Sequence, residues 1–118
     1  MHRNPSHNEA VIRAHLTELL ASRLFRSARR LSLFLTFVVD KELSGEGEVI
    51  KEYVIATEVY GRGSDYDPQI DSTVRVEASR LRAKLRDYYA SEGATAPVRI
   101  ELPKGSYVPF FTTTLPDA

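Results

Sequence analysis

The chain has 118 residues, 42% of them hydrophobic, and its 16 basic residues balance 16 acidic residues, so the formal net charge is zero. This length supports one modest core, which predicts a single domain at residues 8–112 between flexible tails at residues 1–7 and 113–118. Because no cysteine is present, disulfides, thiolate catalysis and cysteine-ligated zinc are excluded, as is usual for cytoplasmic proteins.

The first predicted element is an amphipathic helix that Asn8 can cap and that runs to about Ala21. Its apolar side consists of six residues, Val11, Ile12, His15, Leu16, Leu19 and Leu20. An isolated helix does not leave such a side in water, so the side either completes the core of one chain or pairs two copies as a homodimer. Both alternatives stay open.

Two further helices are predicted before a polar loop. One runs from about Ser27 to Leu43 and is apolar nearly all round, which indicates the most buried element. Its apolar run is far too short to span a membrane, and no membrane association is expected. The next helix runs from about Ile50 to Tyr60 and ends at Gly61. Its core candidates are Ile50, Tyr53, Val54 and Ile55.

The fourth predicted helix, Ser72 to Ala90, carries two parallel stripes. The apolar stripe is Val74, Ala78, Leu81 and Leu85, and the second stripe is Arg75, Ser79, Arg82 and Arg86. Both follow helical spacing and lie about 100° apart, so one can face a core while the other faces outward. Arg80 and Lys84 make the segment more cationic. An ordinary amphipathic helix with a solvated basic face is the alternative interpretation.

A β-hairpin is predicted to follow this helix. Val98 to Leu102 alternates apolar and charged residues, Pro103 to Ser106 can form a turn, and Tyr107 to Phe111 can return as an edge strand containing Pro109. Arg99 and Lys104 are expected near the tip. The predicted fold class is mainly α with a C-terminal β-hairpin, a winged helix-turn-helix preceded by an extra N-terminal helix.

Several motifs resemble the DNA-binding effector domain of OmpR/PhoB-type response regulators. They are Val59-Tyr60-Gly61-Arg62, Asp65-Tyr66-Asp67, Ser79-Arg80-Leu81-Arg82-Ala83-Lys84-Leu85 and Lys104-Gly105-Ser106-Tyr107. Residues 22–111 also resemble an N-terminal winged-helix module of larger bacterial proteins that carry tetratricopeptide repeats or cyclase-like regions. The chain departs from the first family in two ways. No phosphoacceptor receiver domain is present within these 118 residues, and Glu77 carries a carboxylate that would be repelled by phosphate.

This resemblance implies a bacterial transcriptional regulator that binds double-stranded DNA with the long helix in the major groove. It assigns Arg75, Ser79 and Arg82 to base edges and Arg80, Lys84 and Arg86 to phosphate. Arg99 and Lys104 would add contacts from the hairpin. The alternative function is a protein-interaction or self-assembly module that keeps the fold and binds acidic partner surfaces instead.

Enzymatic, cofactor and metal chemistry are not expected. Asp65, Asp67 and Asp71 lack the glycine and terminal glutamate of a calcium loop, and their spacing favours turns and caps. No small-molecule substrate is evident. The cluster Arg23, Arg26, Arg29 and Arg30 is interpreted either as a second phosphate contact or as ordinary solvation of a helix end.

Overall fold

The computed structural model describes residues 9–113 of the chain. In this part, four α-helices are followed by an antiparallel hairpin, which confirms the predicted class, mainly α with a C-terminal β-hairpin after an additional N-terminal helix. The elements are α1 (Glu9–Leu20), α2 (Arg29–Leu43), α3 (Glu52–Glu58), α4 (Thr73–Tyr89), β1 (Val98–Glu101) and β2 (Phe110–Thr113). The predicted cap Asn8 and the tails 1–7 and 114–118 lie outside the described residues, and β2 extends one residue into the predicted C-terminal tail.

The core is one cluster of buried side chains that draws on every helix and both strands. The longest of these helices, α4, lies against α2, α3 and β1. Its predicted apolar stripe is buried, with Val74, Ala78 and Leu81 fully covered and Leu85 nearly so. The helical spacing of these apolar residues therefore correctly predicted which side of α4 is buried.

The apolar side of α1 is buried within the single chain. Ile12, Leu16 and Leu19 join the core, and α1 packs on α2 and β1. This burial supports the first of the two alternatives for α1, completion of the core of one chain. The exception is Val11, which is 44% exposed because it lies on the outer side of the helix.

His15, expected on the face of α1, is buried between α1 and the end of α4. Its Nε2 lies 2.8 Å from the hydroxyl of Tyr89, and that hydroxyl accepts a hydrogen bond of 2.8 Å from the backbone N–H of Ile100 in β1. Its Nδ1 is buried without a hydrogen-bond partner. Burial lowers the pKa of His15, whereas the nearby carboxylate of Glu18 raises it to a lesser extent. This polar chain ties α1, α4 and the hairpin together.

The second helix begins two residues later than predicted. A turn precedes the helix, in which the carbonyl of Ser22 accepts hydrogen bonds from the backbone N–H groups of Phe25 and Arg26. Phe25 is fully buried, and this anchors the turn before α2 starts. The stripe Leu31, Phe34, Leu35 and Val38 is buried as predicted, but Leu33 is almost half exposed. Helix α2 is therefore not buried all round.

The third helix is shorter than predicted, since a 3₁₀ turn, Gly47–Val49, precedes it and Glu52 is its first residue. Ile50 and Ile55 are buried and Val54 is half-buried, but Tyr53 is about half exposed, so its assignment to the core was wrong. Tyr53 is two residues from Ile55, about 200° around a helix, and faces the opposite side. Gly61 has a φ of 67°, which suits the predicted helix-ending role.

The hairpin has a longer loop than predicted. In its register Val98 pairs with Thr113 and Glu101 with Phe110, so the eight residues 102–109 connect the strands. Tyr107 does not begin a strand, because its ring packs near Phe34 of α2. Pro109 is buried in the loop rather than placed in an edge strand.

Candidate nucleic-acid interface

The outward side of α4 is cationic with small or apolar residues at its centre. Val76, Ser79, Arg80 and Arg86 are exposed, and Ala83 is half-buried between them. The side chain of Arg80 keeps 69% of its surface in solvent. A helix with a small-residue centre flanked by arginines can approach a groove closely while its cations reach either wall.

A cleft of about 900 Å³ separates this side of α4 from β1 and the hairpin loop. It brings together five of the predicted site residues, Ser79, Arg82, Arg86, Arg99 and Lys104. Asp87 and Glu101 also line it, so four cations face two carboxylates. Arg75, Arg80 and Lys84 lie outside its lining.

Arg75 is bound within the chain. Its guanidinium donates 2.6 Å hydrogen bonds to Glu52 at the start of α3 and to the carbonyl of Pro68. The first of these is also an ion pair. The side chain predicted to read base edges therefore joins α4 to α3 and to the preceding loop.

Arg82 is likewise bound within the chain. It donates to three carbonyls of the hairpin loop, those of Leu102 at 3.0 Å, Pro103 at 3.3 Å and Ser106 at 3.0 Å. The guanidinium predicted to contact base edges therefore already has three partners within the chain. Its planar fork of N–H donors suits a loop that presents several carbonyls.

Arg99 does not lie at the hairpin tip. It pairs with Thr112 in the strand register, and its guanidinium lies over the ring of Tyr89, 5.1 Å from the centroid. Lys104 does lie in the loop at the tip and is exposed, followed by Gly105 with a φ of 81°. Of the two hairpin cations, Lys104 is the one that extends into solvent.

Glu77 is buried on the side of α4 that faces α2. Its carboxylate forms ion pairs with Arg80 at 3.2 Å and with Arg30 at 3.6 Å, and Arg30 also lies over the ring of Tyr60. Two guanidinium groups therefore cover the carboxylate that was expected to repel phosphate. The same pairs place Arg30 beside Arg80, which extends the cationic surface to the start of α2.

Arg62 and Asp71 hold the loop between α3 and α4 in place. Arg62 donates to Asp71 at 2.8 Å and to the hydroxyl of Thr73 at 2.8 Å. Asp71 in turn accepts hydrogen bonds from the backbone N–H and the hydroxyl of Thr73, the first residue of α4. These bonds from Thr73, followed by the contact with Arg62, lower the pKa of Asp71 to about 2.

The predicted turn roles of the loop aspartates are consistent with this geometry. Asp67 accepts a hydrogen bond of 2.9 Å from the backbone N–H of Gln69, as in an Asx turn. Within residues 9–113, no group of three or more candidate ligands is placed to hold a metal ion.

Glu52 lies outside this cleft but links the segments around it, and the sequence did not single it out. Its carboxylate accepts hydrogen bonds from Arg75, from the hydroxyl of Tyr66 at 2.8 Å and from the hydroxyl of Tyr107 at 3.5 Å. It therefore connects α3, the loop, α4 and the hairpin. Burial and the hydrogen bond to Glu52 raise the pKa of Tyr66 to about 12. In sequence, Glu52 resembles any acidic residue in a first helical turn.

Comparisons of the chain with protein-family models, curated proteins and solved structures gave no match. No helix among residues 9–113 combines the length and the apolar character needed to cross a bilayer. The activity of this surface must therefore be inferred from its own geometry and charge.

Proposed function

We propose that the protein binds double-stranded DNA through the exposed side of α4, with the hairpin tip as a second contact. One observation carries this proposal: the exposed side of α4 and the hairpin share a cleft in which cations outnumber carboxylates, although the chain as a whole is neutral. A local basic surface is what phosphate recognition requires. In this proposal the chain is a winged-helix regulator of bacterial transcription, similar to the OmpR/PhoB effector class, and acts in the cytoplasm.

The proposed contacts differ from those expected from the sequence. Ser79 is kept for base edges, because it is exposed, short and near the centre of the outward side. Arg80, Lys84 and Arg86 are proposed to contact phosphate. Arg75 and Arg82 are instead proposed to hold the neighbouring loops, since their guanidinium groups already have partners. Lys104 would contact the DNA backbone from the hairpin, and Arg30 would reach phosphate beside Arg80.

Salt dependence of binding tests this proposal. Each phosphate contact releases condensed counterions, and five contacts from Arg30, Arg80, Lys84, Arg86 and Lys104 give a log–log slope of about −4 to −5. A labelled duplex of mixed sequence would be titrated at several salt concentrations. Arg86→Gln should reduce the magnitude of the slope by about 1.

Lys41→Gln is the matched control for this experiment. It removes the same charge from the end of α2, where Lys41 pairs with Glu46 and lies outside the cleft. The slope of this variant should equal that of the wild type. Absence of binding at low salt, or binding that salt does not weaken, would refute the DNA proposal.

The rival function, a protein-interaction or self-assembly module, is favoured by a different observation. Ile70 is 84% exposed and Val76 is 42% exposed, and both line a small depression near the start of α4. Exposed aliphatic side chains that lie together are typical of contact surfaces between proteins. Wild-type chain that binds no duplex but self-associates with rising concentration, together with an Ile70→Asp variant that stays monomeric, would establish this rival.

A further inference from the structure

Arg82 lies where α4 passes the hairpin loop, and its guanidinium is the main polar link between them. Its Nε donates to Leu102, and its Nη2 donates to Pro103 and Ser106. The three carbonyls belong to one loop and surround one guanidinium. A residue on the cationic stripe of a helix thus binds backbone carbonyls of the same chain.

The hairpin loop contains few hydrogen bonds of its own around its tip. One turn bond joins the backbone N–H of Ser106 to the carbonyl of Pro103 at 3.2 Å, and the hydroxyl of Ser106 accepts from the N–H of Val108 at 3.0 Å. Neither bond reaches α4. The contacts of Arg82 therefore fix the loop tip relative to α4, while Tyr107 joins the loop to α2 through Phe34 and to α3 through Glu52.

Lys104 lies between the residues that Arg82 holds. Leu102 and Pro103 precede it, Ser106 follows it by two positions, and all of these carbonyls converge on the same guanidinium. Lys104 and Arg86 line the same cleft from opposite sides. Holding the loop sets the separation of these two cations before any ligand arrives, which removes part of the ordering entropy that binding would otherwise cost.

We infer that Arg82 is a positioning residue, which fixes the hairpin tip so that Lys104 and α4 engage one DNA duplex together. This inference rests on the proposed function and deepens it. Arg82 makes no contact with DNA in this scheme, and its effect on affinity is transmitted through Lys104. Replacing it with lysine keeps the positive charge but removes the planar fork that bonds several carbonyls at once.

A double-mutant cycle tests the inference. Lys104→Ala would be measured in the wild type and in an Arg82→Lys background by titration of a labelled mixed-sequence duplex. We expect Lys104→Ala to weaken binding several-fold in the wild type and to reduce the magnitude of the salt slope by about 1. Both effects should be clearly smaller in the Arg82→Lys background, since the loop no longer holds Lys104 in place.

Arg86→Lys provides the matched background. It makes the same chemical change in the same cleft at a residue exposed on α4. Lys104→Ala should have its full effect there. Equal effects of Lys104→Ala in all three backgrounds would overturn the inference.

A second measurement needs no DNA. Amide hydrogen exchange in residues 102–108 should be faster in Arg82→Lys than in the wild type and unchanged in Arg86→Lys, and thermal melting would establish that each variant is folded. Unchanged exchange in folded Arg82→Lys overturns the positioning role. If the wild type binds no duplex, the proposed function fails, and with it the coupling to Lys104, while the exchange result still decides whether Arg82 holds the loop.

Discussion

Leu81 and Arg80 are neighbours on α4 with opposite surroundings. Leu81 is fully buried at the centre of the core stripe, whereas the side chain of Arg80 is mostly in solvent. Because core atoms are close-packed, a shortened side chain at position 81 leaves a cavity. A shortened side chain at position 80 leaves no cavity and removes one of the two ion pairs of the buried Glu77.

We predict that Leu81→Ala lowers the free energy of unfolding by about 2–5 kcal/mol. Arg80→Ala should change it by less than Leu81→Ala does, since Arg80 is mostly in solvent and Arg30 still pairs with the buried carboxylate of Glu77. Denaturant titration of both variants with the wild type measures the difference. A larger loss of stability in Arg80→Ala than in Leu81→Ala would contradict the observed facing of α4.

Arginines that look equivalent in the α4 sequence differ in their partners. Arg75 and Arg82 bind neighbouring segments of the chain, while Arg86 is exposed beside the cleft. Glu52 provides the counterpart at the other end of the hairpin loop, where Tyr107 and Arg75 meet on its carboxylate. Two residues, Glu52 and Arg82, therefore link the loop to the helices from opposite sides.

At the scale of elements, α1 is part of the core rather than an appendage. Ile12, Leu16 and Leu19 are buried, and His15 reaches Tyr89 at the end of α4. Burial of one large aliphatic side chain contributes about 1.5–3 kcal/mol. Three such side chains amount to a large fraction of the stability of a small domain.

We predict that a chain beginning at Ser22 melts far below the full chain or does not fold cooperatively. The residues of α2 and β1 that α1 covers would be left in water. Thermal melting and sedimentation of the two chains measure stability and association together. A full-length dimer that becomes a folded, equally stable monomer on truncation would instead assign α1 to self-association.

At the scale of the whole molecule, zero net charge conceals a separation of charge. The cleft between α4 and the hairpin is mainly cationic. A second cleft, of about 610 Å³, lies between the end of α2, the 3₁₀ turn and the hairpin loop, and it carries Glu42, Glu48 and Glu52 with Lys51. Such a distribution orients a molecule toward a polyanion even though its total charge is balanced.

The stability of the whole fold should depend on pH just below neutrality, and His15 should be the main cause of this dependence. Burial lowers its pKa from the ordinary 6.5, so below about pH 6.5 the unfolded chain binds more protons than the folded chain. Stability must then fall as the pH decreases through this range. The charged groups around it include Glu18 on α1, whose carboxylate opposes the shift, and Arg99 and Glu101 near Tyr89.

We predict a lower melting temperature at about pH 5.5 than at about pH 7.5, because protonation places an unpaired charge among α1, α4 and β1. His15→Gln, which does not titrate, should remove most of this difference. The carboxylate of Asp71 titrates in a separate pH range. Its lowered pKa contributes stability that is present above about pH 3.8 and is lost as the pH falls toward about 2. An equal pH dependence in His15→Gln would exclude His15 as the cause.

Much of the fold was predictable because it depends on local periodicity. The helical spacing of Val74, Ala78, Leu81 and Leu85 identified both the existence and the buried side of α4. Gly61 was predicted to end a helix, and its positive φ suits that role. Helices α2 and α3 and strand β2 begin a few residues later than predicted. The buried Phe25 lies in a turn before α2, a 3₁₀ turn precedes α3, and Tyr107 packs near Phe34 instead of beginning β2.

The sequence by itself determined the element order, the core stripe of α4 and the group of cations beside it, since each depends on residues within one or two helical turns. Only the tertiary structure decided which cations remain exposed. The partner of Arg75 is 23 residues away, and the carbonyls that bind Arg82 lie 20 to 24 residues away. Spacing along a helix fixes the direction of a side chain from its own axis. It does not specify which loop or helix lies in that direction, because long-range packing places those neighbours.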